Sequence, residues 1–196
     1  MNYLGHAYLS FGQSAVLAGN MIGDHVKGLK AIAAYPEGMQ QGIRLHRSID
    51  QYTDEHAVLQ PAKDLFRGLY GLYAGAITDT LMDYFLANDP DIFPDEKQLL
   101  DFTLVTYRDM AVYEEWFPLS FGPFFESMRS HNWLYHYRSK EGIRRSLTGL
   151  QRRAKHMPDI GSAFEIFERN ERLLATCYRP FINDIISFVK IIGNYG

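Results

Sequence analysis

A single cysteine, Cys177, among 196 residues excludes an internal disulfide framework and fits a reducing compartment. It follows the apolar run Leu173, Leu174, Ala175, where a packed thiol is expected rather than a nucleophile. Uncharged apolar runs are short, and none approaches the roughly 20 residues that span a bilayer. The N-terminal stretch lacks a basic leader and is broken by His6, Ser10, Gln13 and Ser14. A cytoplasmic location with no membrane partner is therefore expected. Excess positive charge is missing too: the formal net charge is −3, which argues against nucleic-acid binding. No Gly-rich phosphate loop, Gly-x-Ser-x-Gly or His-Glu-x-x-His occurs. Alternating β patterns, internal repeats and Gly/Ser-rich linkers are absent as well. One domain over residues 1–196 is expected.

What is present is helical periodicity. Asn2 caps a first helix carrying Leu4, Tyr8 and Phe11, and a second runs from Ser14 to about Val26. A third covers Gly38 to about Thr53, with Gly42 weakening its start. Pro61 suits the first turn of a fourth, which Gly71 to Ala87 continues or restarts. Asp95 opens a long helix toward Phe117; further helices cover about Phe124–Tyr137, Ser139–Arg153 and Ile160–Val189, the last kinked or split at Pro180. The fold class is all-α, a helical bundle.

Three of these helices repeat one arrangement: polar residues of ligand type four apart within apolar surroundings. The pairs are Asn20 with Asp24, His46 with Asp50 (extended to Asp54), and Asp79 with Asp83. That spacing stacks both side chains on one helix face. A carboxylate beside a packed face costs several kcal/mol unless it is paired. Arg44 and Arg47 can neutralise two acids but not five, whereas a divalent cation can serve several, and bundles build such sites from facing helices. Mixed oxygen and imidazole ligands suit Mn²⁺, Fe²⁺ or Mg²⁺ better than structural zinc. For any one pair, a solvated helix face is the alternative.

The strings Met1-Asn2-Tyr3-Leu4-Gly5-His6, Gly19-Asn20-Met21-Ile22-Gly23-Asp24 and Gly42-Ile43-Arg44-Leu45-His46-Arg47-Ser48-Ile49-Asp50, followed by Thr53-Asp54, occur in that order. Together they resemble the acyl carrier protein phosphodiesterase family, also called holo-acyl carrier protein hydrolases. Asp79-Thr80-Leu81-Met82-Asp83-Tyr84-Phe85-Leu86 follows the family pattern except at Tyr84, where a histidine is usual. The tryptophan expected after Phe85-Leu86 is missing, and Asp24-His25 reverses the His-Asp dipeptide of HD-domain proteins. The resemblance continues more weakly through Asn132-Trp133-Leu134, Tyr137 and Gly149 to Arg153.

The resemblance implies an HD-domain-like helical bundle. It also implies a metal-dependent hydrolase, Mn²⁺ first and Mg²⁺ or Fe²⁺ as alternatives, that releases 4′-phosphopantetheine from a serine of holo-acyl carrier protein. On that basis Asp24, His46, Asp50 and Asp83 are the expected metal ligands. Asp54 and Asp79 are expected as ligand, base or a support behind the ligands, and His6 or His25 as the acid for the departing serine oxygen. His6, Asp24, His46, Asp50 and Asp83 should then meet in one cleft, with Asn20 among the substrate contacts. An acidic carrier calls for a cationic dock. Between Arg138 and His156 seven cationic residues face Glu141 alone, and Arg144 and Arg145 there, with Lys27 and Arg47 nearer the site, are the expected contacts. The competing readings are a phosphohydrolase acting on a small phosphoester or nucleotide, and a helical metal-binding module without catalysis.

Overall fold

Residues 1–154 and 156–193 are described by a computed structural model, and among them there are helices and no strands. In chain order they are α1 (Tyr3–Tyr8), α2 (Ser14–Ile22), α3 (Leu29–Ile32), α4 (Glu37–Glu55), α5 (Gln60–Tyr70), α6 (Ala74–Ala87), α7 (Glu96–Ala111), α8 (Gly122–Ser130), α9 (Trp133–His136), α10 (Lys140–Arg153) and α11 (Gly161–Gly193). Short 3₁₀ turns at Gly23–His25, Ala57–Leu59, Gly71–Tyr73 and Glu114–Trp116 link several of them. No helix among the described residues is long and apolar enough to cross a membrane.

The helix ends follow local chemistry. The Asp95 carboxylate accepts from the Gln98 amide and Ser139 Oγ from the Gly142 amide, each satisfying an orphan donor of the first turn. Asn132 takes a left-handed conformation and splits the helix expected over Phe124–Tyr137 into α8 and α9, its own Oδ1 capping the second. In α11 the irregularity lies at Asn170 (φ −120°, ψ 17°), not at Pro180. Asn170 Nδ2 donates to the Ile166 carbonyl there. The bond that Pro180 removes falls on an exposed face with Thr176, where water can replace it.

Burial follows the periodicity. Helix α4 turns Met39, Ile43, His46, Ile49 and Thr53 inward, one stripe at helical spacing. Ile43 and Ile49 are fully buried, each contributing about 1.5–3 kcal/mol. Cys177 is buried, as its apolar neighbours imply. Helices α2 and α4 approach backbone to backbone at two points. A Cβ at Gly42 would lie 2.0 Å from the Val16 carbonyl oxygen, and one at Gly19 would lie 2.0 Å from that of Met39. Gly42, a weak helix former, is thus the residue that lets the two backbones touch. One turn on, Gly23 leaves the space that the His46 ring fills.

Candidate functional site

Four elements converge on one cleft of about 510 Å³, a size suited to a small-molecule arm. Helix α1 brings His6, the turn after α2 brings Asp24 and His25, α4 brings His46, Asp50 and Asp54, and α6 brings Asp79. Tyr3, Phe124, Leu150 and Arg153 also line it.

At its centre two imidazoles meet one carboxylate. His6 Nε2 lies 3.1 Å from Asp50 Oδ1, and His46 Nε2 lies 3.1 Å from Asp50 Oδ2 and 3.3 Å from Asp24 Oδ1. The two rings stack with centroids 4.2 Å apart. One ligand atom each from His6, His46 and Asp50 falls within 4.8 Å of the others. Both histidines are buried, whereas Asp24 and Asp50 reach the open side of the cleft.

Charge in this cluster is tightly balanced. Burial would lower the His46 imidazole, but Asp24 and Asp50 overcome it and hold its pKa up at about 9. Burial works to raise Asp50, yet His46 and His6 hold its carboxyl far below the usual range. The His46 hydrogen bond also lowers Asp24. His6 is lowered, first by burial and then by the neighbouring His46 charge.

A network behind His6 fixes which ring nitrogen carries its proton. Asn20 Nδ2 donates to the His6 carbonyl at 2.8 Å and to Ser10 Oγ at 3.0 Å. Ser10 Oγ uses its own hydrogen on the same carbonyl. Asn20 therefore turns its Oδ1 to His6 Nδ1 at 2.8 Å, and that nitrogen must donate. His6 Nε2 is left with its lone pair toward Asp50 Oδ1, acceptor against acceptor, unless a positive charge lies between. Burial disfavours the imidazolium at His6. A divalent cation satisfies the arrangement, and an amide holding the far ring nitrogen is how ligating histidines are oriented. The donor set thus fits such an ion.

The structure does not assemble every expected residue. Asp83 is wholly buried and accepts from the amides of Asn2 (3.1 Å), Leu4 (2.7 Å) and Gly5 (3.2 Å), closing the N-terminus of α1. Its oxygens are occupied by backbone, so it is not in the ligand cluster expected for it. Burial pushes its carboxyl up to about 7, against the pull of those donors. Asp83→Ala is expected to cost about 2–4 kcal/mol of stability by orphaning three buried donors. A mutant that melts like the wild type while losing cation affinity would restore Asp83 as a ligand.

His6, expected as an acid, has both ring nitrogens engaged. Asn20 braces His6 rather than facing a substrate. Asp79 lines the cleft opposite the Met1 ammonium at 3.1 Å. Asp54 lies at the mouth with Lys63, whose buried ammonium also donates to the last carbonyls of α4. His25 lines the cleft with Nδ1 2.9 Å from Ser120 Oγ and its ring edge-on to Phe121. Burial lowers its pKa, with the Lys27 and Arg153 charges adding to the effect. Tyr84 leaves the cleft altogether, donating to Glu171 at 2.9 Å and packing on Phe167, so its phenol joins α6 to α11.

The cationic segment is less free than its charge count implies. Arg138 pairs with Glu96 at 2.8 Å, Lys140 with Glu171 at 2.9 Å and Arg145 with Glu141 at 3.0 Å. Arg144 lies 4.1 Å over the Phe164 ring, and Lys155 falls outside the described residues. Arg47 donates to the carbonyls of Val26 and Gly28, holding the loop that carries the exposed Lys27. Arg153, which with Arg144, Arg145 and Arg152 belongs to the expected dock, is the one cation of that segment, among the described residues, that lines the cleft.

The profile of the family described as acyl carrier protein phosphodiesterase matches residues 1–185. The acyl carrier protein phosphodiesterase of Enterobacter sp. (strain 638) is 29% identical over 181 residues, 92% of this chain and 93% of its own. That of Photorhabdus laumondii is 27% identical over 170 residues, 87% and 85% of the two chains. That of Yersinia pestis is 26% identical over 181 residues, 92% and 93%. No solved structure matches, so the HD-domain likeness has no structural neighbour behind it.

Proposed function

The chain belongs to the acyl carrier protein phosphodiesterase family, and from that premise we propose that it hydrolyses the phosphodiester joining 4′-phosphopantetheine to a serine of holo-acyl carrier protein. The apo carrier and free 4′-phosphopantetheine are the products. His6, His46 and Asp50 hold a divalent cation, with Asp24 beside them and Mn²⁺ first among the candidates. The observation that carries the reading is the lone pair of His6 Nε2 aimed at Asp50 across 3.1 Å.

When bound, the cation supplies charge neutralisation at the phosphoryl group and an activated nucleophile. The chain's own residues do the rest. Asn20 keeps His6 in the tautomer that presents Nε2 to the cleft. Asp24 and Asp50 bring the negative charge that makes the site selective for cations. Water adds at phosphorus, the bond from phosphorus to the serine oxygen breaks, and that oxygen needs a proton. His25 can donate it: Ser120 engages its Nδ1, which leaves Nε2 to move a proton. Asp54 and Asp79, which line the same cleft, are the groups to take the nucleophile's proton.

The test is incubation with holo-acyl carrier protein and Mn²⁺, followed by mass spectrometry of the carrier. Conversion to the apo form, abolished by exhaustive chelation and restored by Mn²⁺, is expected. Turnover that survives chelation would remove the cation from the scheme. Cleavage of free nucleotides or small phosphoesters with an untouched carrier would favour the small-substrate alternative.

A further inference from the structure

We propose that Arg153, laid across the Phe124 ring inside the cleft, is the group that binds the anionic phosphoryl oxygens of the substrate. The inference rests on the phosphodiesterase reading above for the identity of the ester, but not for the presence of an anion site.

The geometry is specific. Arg153 ends α10 and places its guanidinium carbon 5.3 Å from the Phe124 centroid. Phe124 is itself clamped: Tyr3 lies 5.1 Å away, Trp133 meets it edge-on at 5.1 Å, and His25 lies at 5.9 Å. A guanidinium on a fixed aromatic plane has lost much of its rotamer freedom before any ligand arrives, so less remains to be lost on binding. The last turn of α10 adds the favourable field of a helix C-terminus for a cation.

Its partners, or their lack, point the same way. The cleft is lined by Asp24, Asp50, Asp54 and Asp79, yet among the described residues Arg153 forms no ion pair with any of them. Elsewhere Arg129, Arg138, Arg145 and Arg179 have each found an acid. A guanidinium held off nearby carboxylates keeps its forked donors free for another anion. Among the lining residues it is the only guanidinium. Its fork matches two oxygens of a phosphoryl group, and a diester carries the single charge that one such cation balances. The histidine–carboxylate cluster and Arg153 thus divide the cleft into a part that attracts cations and a part that attracts anions, and a phosphodiester bridges them.

The test compares R153A, R153K and F124L with the wild type in two binding measurements and in the KM for bis(p-nitrophenyl) phosphate. Calorimetry follows orthophosphate binding in the presence of Mg²⁺, and Mn²⁺ binding is titrated separately. R153A should weaken orthophosphate and raise the KM for bis(p-nitrophenyl) phosphate about 10- to 100-fold, the range for one charged hydrogen-bonded contact. Mn²⁺ affinity should stay level or rise, because a positive charge near the acids is gone. R153K should fall between, F124L should lose less than R153A, and added guanidinium ion should restore part of the R153A loss. Unchanged orthophosphate binding in R153A would overturn the proposal. So would a parallel loss of Mn²⁺ affinity, which would make Arg153 a support for the cleft. A wild type that binds orthophosphate through Arg153 yet leaves holo-acyl carrier protein intact would overturn the proposed substrate and keep this anion site.

Discussion

Asp50→Ala is expected to lower turnover of holo-acyl carrier protein by about 10³-fold or more, with the helical fold retained. Among the described residues Asp50 is the one carboxylate within hydrogen-bonding distance of both buried imidazoles, so its loss dismantles the cluster rather than trimming one contact. Losses of this size follow when a group central to transition-state charge is removed, and partners acting as a unit fail together. The fold should survive because the Asp50 side chain is 41% exposed and leaves no sealed cavity behind. Circular dichroism should be unchanged and the melting temperature should move by no more than about 5 °C. Asp50→Asn keeps the shape and removes the charge, so it should be nearly as inactive. Turnover within tenfold of wild type in either variant would take Asp50 out of the mechanism.

Cation affinity is expected to rise about tenfold per pH unit from near pH 6 to near pH 9 and then level off. The cause is His46, which Asp24 and Asp50 hold protonated up to about 9 although burial alone would lower it. An incoming ion must displace that proton, so one proton leaves per ion throughout the window. Calorimetry in buffers of different ionisation enthalpy measures the release directly. Heats independent of buffer, with affinity flat across the window, would show that His46 does not ligate. The same shift sets stability without the ion. A raised folded pKa contributes stability fully present below the unfolded value near 6.5 and lost as pH climbs through about 9. The ion-free protein should therefore soften across that interval, and the loaded protein should not.

The sequence is legible where one periodicity decides. Met39, Ile43, His46 and Ile49 fall on one stripe, so both the burial of His46 and the helix that holds it follow from spacing. His46 with Asp50 is a pair that spacing finds and the fold uses. Asp79 and Asp83 show the limit of the same rule. Four residues apart on α6, they share a helix face, yet one lines the cleft while the other closes the N-terminus of α1. Which neighbour a helix face meets is a tertiary fact, and no spacing within α6 contains it. Charge counting fails for a related reason. Arg138 and Lys140 are neutralised by Glu96 and Glu171, acids distant in the chain, while Arg153 lies over Phe124 and has no ion pair among the described residues. His6 was reachable only through the family resemblance, since a lone histidine in a short first helix carries no pattern of its own. Asn132 could have been suspected, because asparagine tolerates the left-handed turn that divides α8 from α9.

The contact between Gly19 and Met39, repeated between Gly42 and Val16, has a bearing on the order in which the molecule assembles. Helices so close in sequence lose little chain entropy on meeting, and these two meet backbone to backbone. Their amide hydrogens are expected to exchange with solvent more slowly than those of the cleft's rim, and their docking to come early in folding. Asn20, His46 and Asp50 would then stand in register before α11 closes over the other side of α4. Removing a cation from the proposed site should therefore leave these two helices in place, with His6 of α1 still to be added to the part that α4 supplies.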